Sequence, residues 1–358
     1  MTSIKFSNNN AQFFSVLKER VNSYFEMNKI KMTGNYKLYL KTIILVCLLA
    51  CLYTWLVFFT PSSILFSLML CAAVGFLFAA IGFNVMHDGA HGSYSTKSWL
   101  NNIMAYTLEL MGGSSYMWKF KHNVAHHSFT NIEGMDEDID ILPFMRVNKG
   151  QKRYWVHRFQ HIYSFLLYGL SYFSWIYIND LKKYFNHKVG QNVPIPKMST
   201  KDHFIFWSTK LGYLAIFVAI PIWQVGFIDT VIGYGFLVFI CGIVISTTFQ
   251  LAHVNEDTAF VVPQGDKFTI ENEWAIHQIN TTTNFATKQK WHNWFWGGLN
   301  FQIEHHLFPR ISHIHYPEIS KIVKQTCKEF NVTYNEFPTV VSAIYSHLLH
   351  LKTLGLTR

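Results

Sequence analysis

Apolar residues gather in four long, predominantly apolar runs, 42–60, 63–86, 204–224 and 227–250, set among stretches where polar and apolar positions mix. Each run approaches or exceeds the ~20 residues of helix that cross a bilayer's hydrocarbon core. Pro61 to Ser63 join the first two runs, and the VGF at 225–227 joins the last two. Connections this tight predict two helical hairpins. The connecting turns carry no Lys or Arg, whereas residues 1–41 hold Lys5, Lys18, Arg20, Lys29, Lys31, Lys37 and Lys41. The positive-inside rule then places both termini and both long polar segments in the cytoplasm. Two further segments, 160–178 and 99–111, are punctuated by polar residues and are expected to lie as interfacial helices. The fold class expected is an all-α, multi-pass integral membrane protein with four transmembrane helices and a cytosolic helical cap. Residues 1–41 form a cytosolic N-terminal segment, 42–330 the membrane domain and 331–358 a cytosolic tail.

Composition agrees with this pattern. Hydrophobic residues make up 50% of the 358 and charged residues 14%, against about a quarter charged in soluble chains. The formal charge of +9 therefore points to anionic lipid, an acidic headgroup or an acidic protein. No nucleic-acid motif is present. The five cysteines form no CxxC pair, so neither a disulfide nor a thiolate metal site is expected. The first residues show no secretory signal peptide.

The polar stretches carry histidines at recurring spacings. HDGAH supplies His87 and His91 just after the second run, and HNVAHH supplies His122, His126 and His127. QIEHH supplies His305 and His306. Residues i and i+4 share a helix face, so such spacings aim two imidazoles at one point. Adjacent pairs diverge, and each member can serve a different ion. Seven or eight neutral nitrogens are too many for one ion and suit two. The zinc-protease signature HExxH is missing, and no cysteine lies near the clusters. Imidazole suits iron among other metals.

HDGAH, WKFKHNVAHHSFTN followed by GMDEDID, and QIEHHLFPRISHIHYPEI together resemble the membrane fatty acid desaturases with three histidine boxes. Gln302 opens the third box, which is similar to the front-end subgroup acting near the carboxyl end of acyl chains. The resemblance covers about residues 40–330. It implies two iron ions as cofactor, dioxygen as co-substrate, no flavin and no bound haem. It also implies a long-chain acyl substrate in a tunnel and two-electron removal of hydrogen from a C–C pair. No HPGG marks a fused cytochrome b5 domain, so the expected donor is a separate ferredoxin or cytochrome b5.

The boxes provide seven histidines, an odd number for two similar ions. His253 closes the fourth run as His87 closes the second, and is expected as the eighth ligand. His277 is the competitor, placed behind the ligands. Asp88, Glu256 and Glu304 are expected to accept outer imidazole N–H groups, and Gln302 to bond a metal-bound water. The acidic run Asp136, Glu137, Asp138, Asp140 is read as a solvated loop or cap. Trp118, Trp291, Trp294 and Trp296 are consistent with tunnel walls or with an interfacial belt, and are read as the belt. Arg146, Lys149, Lys152, Arg153 and Arg158 form a basic face for the electron donor or, equally, for anionic lipid headgroups. Two other functions share parts of this pattern. A lipid hydroxylase or ketolase would use the same boxes, whereas a haem protein would need paired histidines inside the spans, which are nearly free of them.

Overall fold

The structure, a computed structural model, describes residues 3–7, 12–190, 193–265 and 267–357. Its principal helices are α1 (Gln12–Met27), α2 (Tyr36–Phe58), α3 (Ile64–His91), α4 (115–129), α5 (160–186), α6 (Thr200–Val225), α7 (Phe227–His253), α8 (Trp274–Asn280), α9 (Gln302–Leu307), α10 (Tyr316–Glu329) and α11 (Val340–Leu356). Only α2, α3, α6 and α7, among the described residues, are long and apolar enough to cross a membrane. Each starts where its sequence stops competing for the backbone. Asn35 caps α2 by accepting from Lys37 N, Ser63 caps α3, and Ser199 with Asp202 forms a capping box on α6. Gly226, at φ 92°, turns the chain from α6 into α7.

α3 and α7 extend beyond the apolar runs, to His91 and His253. Apolarity ends at 86 and 250, but the backbone ladder continues because the cap covers the polar turns that follow. In α3 it continues through a π-helical segment, Gly82–Met86, and in α4 through another, Phe120–His126. Such segments often mark functional sites.

α3 and α7 pack directly. A Cβ on Gly75 would lie 2.6 Å from the Leu237 carbonyl oxygen, so glycine sets this approach. α5, the segment expected at the interface, meets α7 where a Cβ on Gly242 would lie 2.6 Å from the Gly169 carbonyl oxygen. At its far end Lys183 pairs with Glu137 of the cap at 2.9 Å. Leu40, Ile43, Ile44, Leu65 and Trp223 remain exposed on the spanning helices, as lipid-facing side chains would.

The cap has its own core. α1 presents Phe13, Leu17, Val21 and Phe25, one per turn, to Ile319, Val323 and Cys327 of α10. β1 (Ser3–Phe6) runs parallel to residues Lys267–Ile270, and the Phe6 ring lies tilted against His277 at 5.3 Å. The segment expected as a tail contains α11, which lies close against residues 155–159. There a Cβ on Gly355 would overlap the His157 carbonyl oxygen.

Candidate metal centre and active site

The ends of α3, α4, α7 and α9 converge under the cap and bring eight histidines together. His87, His91, His122 and His305 form one group whose ligand atoms all lie within 4.8 Å of one another. His126, His253 and His306 form a second group, and His127 joins His305 and His306 between them. All eight side chains are buried. His305 and His306, adjacent in sequence, diverge at 80° so that each faces a different group. In α4 the π-helical turn, in which His127 N–H donates to His122 O five residues back, keeps His122 and His126 stacked at 21°.

The nitrogens of this cluster need a cation. Nε2 of His122 lies 3.3 Å from Nε2 of His87 and 3.2 Å from Nε2 of His127. Nε2 of His91, His126, His253, His305 and His306 is buried with no hydrogen-bond partner among the described residues. A neutral imidazole carries one lone pair, and with the protons on Nδ1 these lone pairs would face one another and suit a cation between them. Burial, and then the neighbouring imidazoles, hold His122, His127, His305 and His306 well below the usual histidine range. They are therefore neutral, the form that binds metal. The residues fit a metal pair held entirely by nitrogen.

Four of the histidines are oriented from behind. Nδ1–H of His126 donates to Asp136 Oδ2 at 3.0 Å, that of His306 to Gln278 Oε1 at 2.8 Å, and that of His253 to the Thr281 carbonyl at 3.2 Å. His305 Nδ1 lies 3.3 Å from the Tyr316 hydroxyl. Each contact leaves Nε2 as the inward lone pair. For His126, burial opposes protonation but the Asp136 carboxylate outweighs it and raises the pKa.

None of Asp136, Gln278, Thr281 and Tyr316 was singled out as a partner from sequence, and the expectations for this layer need correction. Asp136 is not in a solvated loop; it is 2% exposed and also accepts from Asn131 N. Asn131, at φ 56°, bends the chain back and ties it by Nδ2 to the His253 carbonyl at 2.8 Å. Asp88 accepts from Ser312 Oγ at 2.6 Å and lies 3.1 Å from His313 Nδ1, so it binds α3 to the turn after α9 instead of to a clustered imidazole. Glu304 accepts from Asn284 and Tyr334, and burial pushes its pKa up to about 7. Glu256 is exposed and meets only Ser346 among the described residues. His277 stands outside the groups, its Nε2–H on the Thr130 carbonyl at 2.9 Å. Gln302 is fully buried with neither amide atom partnered among the described residues.

A cavity of about 1150 Å³ reaches His122. Trp118, expected in an interfacial belt, is instead a buried wall of it and stacks on His122 at 4.3 Å. Tyr172, Ile245 and Phe249 line its inner part, and Leu142, Phe144, Leu167 and Leu170 an apolar flank. The polar end holds Lys121, paired with Asp138 at 2.5 Å, and Lys182, Lys183 and Lys188. Of the basic run, Lys149, Lys152 and Arg158 are exposed and Arg146 is not. Arg146 is buried, and its guanidinium donates to the carbonyls of Lys149, Leu354 and Thr357. Lys152 and Arg158 lie over the rings of Tyr154 and Phe159, beside Trp155 at 76% exposure.

The sequence profile of the fatty acid desaturases matches residues 62–338. The chain belongs to the fatty acid desaturase family. The desaturase is 40% identical to the acyl-lipid (8-3)-desaturase of Physcomitrium patens over 97% of its own length and 72% of the relative's. It is 38% identical to the sn-1 linoleoyl-lipid 6-desaturase of Synechocystis over 98% of both chains, and 37% identical to that of Arthrospira platensis over 96% and 93%. It is an oxidoreductase acting on fatty acyl groups, and the front-end resemblance read from Gln302 stands beside these relatives.

Proposed function

We propose that the desaturase holds two iron ions with His87, His91, His122, His126, His127, His253, His305 and His306, and uses dioxygen to place a cis double bond in a long acyl chain, between an existing double bond and the carboxyl end. The observation that carries this reading is the pair of neutral, buried imidazole groups beside a cavity with apolar walls. When bound, the irons supply the dioxygen chemistry that removes hydrogen from an unactivated C–C pair. The protein supplies placement and dryness. Trp118 and Phe249 press the chain toward the His122 side, Tyr172 and Ile245 line the space beyond, and Lys182 and Lys188 stand where a polar headgroup would rest. Asp136, Gln278 and the Thr281 carbonyl keep three imidazoles in the tautomer the metals require.

The substrate is an acyl chain esterified in a membrane lipid. The cavity's apolar flank contains Phe144, 62% exposed, and Leu170, 52% exposed, beside the aromatic and basic segment 154–159. That mixture suits the headgroup level of a bilayer, so a chain can slide in sideways. The relatives' names, acyl-lipid and linoleoyl-lipid desaturase, agree. The four spans form two hairpins with both termini and the metal centre on the cytoplasmic side.

The test is expression in a host supplied with C16 to C20 acids, followed by chromatography of methyl esters from separated lipid classes. New double bonds should lie on the carboxyl side of existing ones and appear first in intact glycerolipids. Bonds formed only toward the methyl end would remove the front-end reading, and a hydroxylated product without an alkene would replace desaturation by hydroxylation.

A further inference from the structure

A second cavity, about 750 Å³, reaches the histidine cluster and shares no lining residue with the first. α4 divides the two. Its Trp118, Lys121 and His122 face the acyl cavity, whereas Lys119, Asn123 and His127, one turn apart, face the second. His91 also opens onto it. The two cavities differ in chemistry. The second has no Leu, Ile, Val, Met or Phe in its wall, which is built mainly of Ser, Thr, Asn and Gly. An acyl chain would gain nothing there. Its wall also contains no Asp or Glu, while it does contain Lys119 and Arg310. Neither cation makes an ion pair among the described residues, Arg310 is exposed, and exposed Lys97 flanks the rim between Thr96 and Ser98. Trp274 completes the wall and donates its indole N–H to the His127 carbonyl oxygen at 3.2 Å.

We propose that an acidic one-electron carrier protein docks over this polar cleft, its carboxylates facing Lys97, Lys119 and Arg310, and that electrons reach the metal centre on the His91 and His127 side. This rests on the redox reading of the centre given above. Each turnover takes two reduced carriers, which lose one electron each. Dioxygen gains four electrons, two from the carriers and two from the breaking pair of C–H bonds. Two protons from solution and two hydrogens from the chain complete two waters as the C=C bond forms. The segment 146–158 is a poorer dock: Arg146 is buried, and Lys152 and Arg158 lie on rings beside exposed Trp155. Complementary charge at the rim acts chiefly on encounter and its dependence on salt.

The test uses the full chain in nanodiscs of uncharged lipid, with labelled cytochrome b5 and a plant-type ferredoxin as probes. Binding is read by fluorescence anisotropy on the metal-loaded protein across ionic strength, and turnover is driven either by the carrier or, as a single turnover, by anaerobic reduction with dithionite, removal of excess reductant and admission of dioxygen. Lys97→Glu with Arg310→Glu should weaken binding of the effective carrier by about tenfold or more and flatten its salt dependence. Metal content and dithionite-driven turnover should be unchanged, which separates docking from misfolding. Lys152→Glu with Arg158→Glu should leave carrier binding as in the wild type. Wild-type binding by the cleft variant, or the tenfold loss appearing in the Lys152 and Arg158 variant instead, overturns the proposal. Metal-loaded wild type that makes no product with dithionite overturns the redox reading, and the docking proposal with it.

Discussion

The two imidazole groups are built on different principles. His87, His91 and His122 sit on long helices and, among the described residues, make no hydrogen bond to an acceptor behind them; of their group only His305 has one, the distant Tyr316 hydroxyl. His126, His253 and His306 each donate to a dedicated acceptor. Rigid helix fixes the first group, since α3 and α4 approach with little freedom for χ1. The second gathers ligands from α4, α7 and α9, whose mutual placement depends on the cap, and hydrogen bonds supply the precision that helices alone do not. A metal centre assembled at a membrane edge thus draws its order from two sources.

The sharpest way to break this comparison is at His253. His253→Ala should remove the metal of the second group and all detectable desaturation, as His126→Ala should. His277→Ala, which loses the bond to the Thr130 carbonyl and the ring contact with Phe6, should retain measurable turnover. Elemental analysis with methyl-ester chromatography decides it, and the reverse pattern would move the eighth ligand to His277. Next in size is Asp136→Asn. Loss of a carboxylate behind a metal-bound imidazole costs ~10–100-fold in affinity or activity, and iron should leave the second group first on titration with a chelator. The smallest effect belongs to Tyr316→Phe. Its bond to His305 is 3.3 Å long, so activity should fall by less than ~10-fold, below the usual range for such partners. Equal losses for Asp136→Asn and Tyr316→Phe would erase the distinction between the groups.

The eight histidines that meet in the structure are those marked out by spacing and by position at the ends of apolar runs, because a helix converts sequence interval into a shared face. The layer behind them follows no such rule. Asp136 lies ten residues after His126 in a run of four acids that reads as solvated, and only the turn at Asn131 brings it back. Gln278 stands next to His277, yet it is Gln278 that reaches His306. Asp88 and Glu304 adjoin box histidines in sequence, so their side chains leave the helix in other directions and find Ser312, Asn284 and Tyr334. Arg146 looks like part of a basic surface until α11 folds over it. Helical span and ligand spacing are local properties. Outer partners and burial belong to contacts between separate segments, ten residues apart for His126 and Asp136 and 208 for Arg146 and Leu354.

The parallel pairing of residues 3–6 with 267–270 has a consequence in time. On a growing chain the first strand emerges early, but its partner is made only after all four spans have been synthesised. Phe6 must wait for His277, and the ring of cap helices cannot close before the ribosome has passed it. His305 and His306 follow later still, on the last helix to contribute to the centre. Completion of the histidine cluster is therefore a late event in the life of the polypeptide, and the membrane must accept this protein while its richest polar cluster is still half assembled.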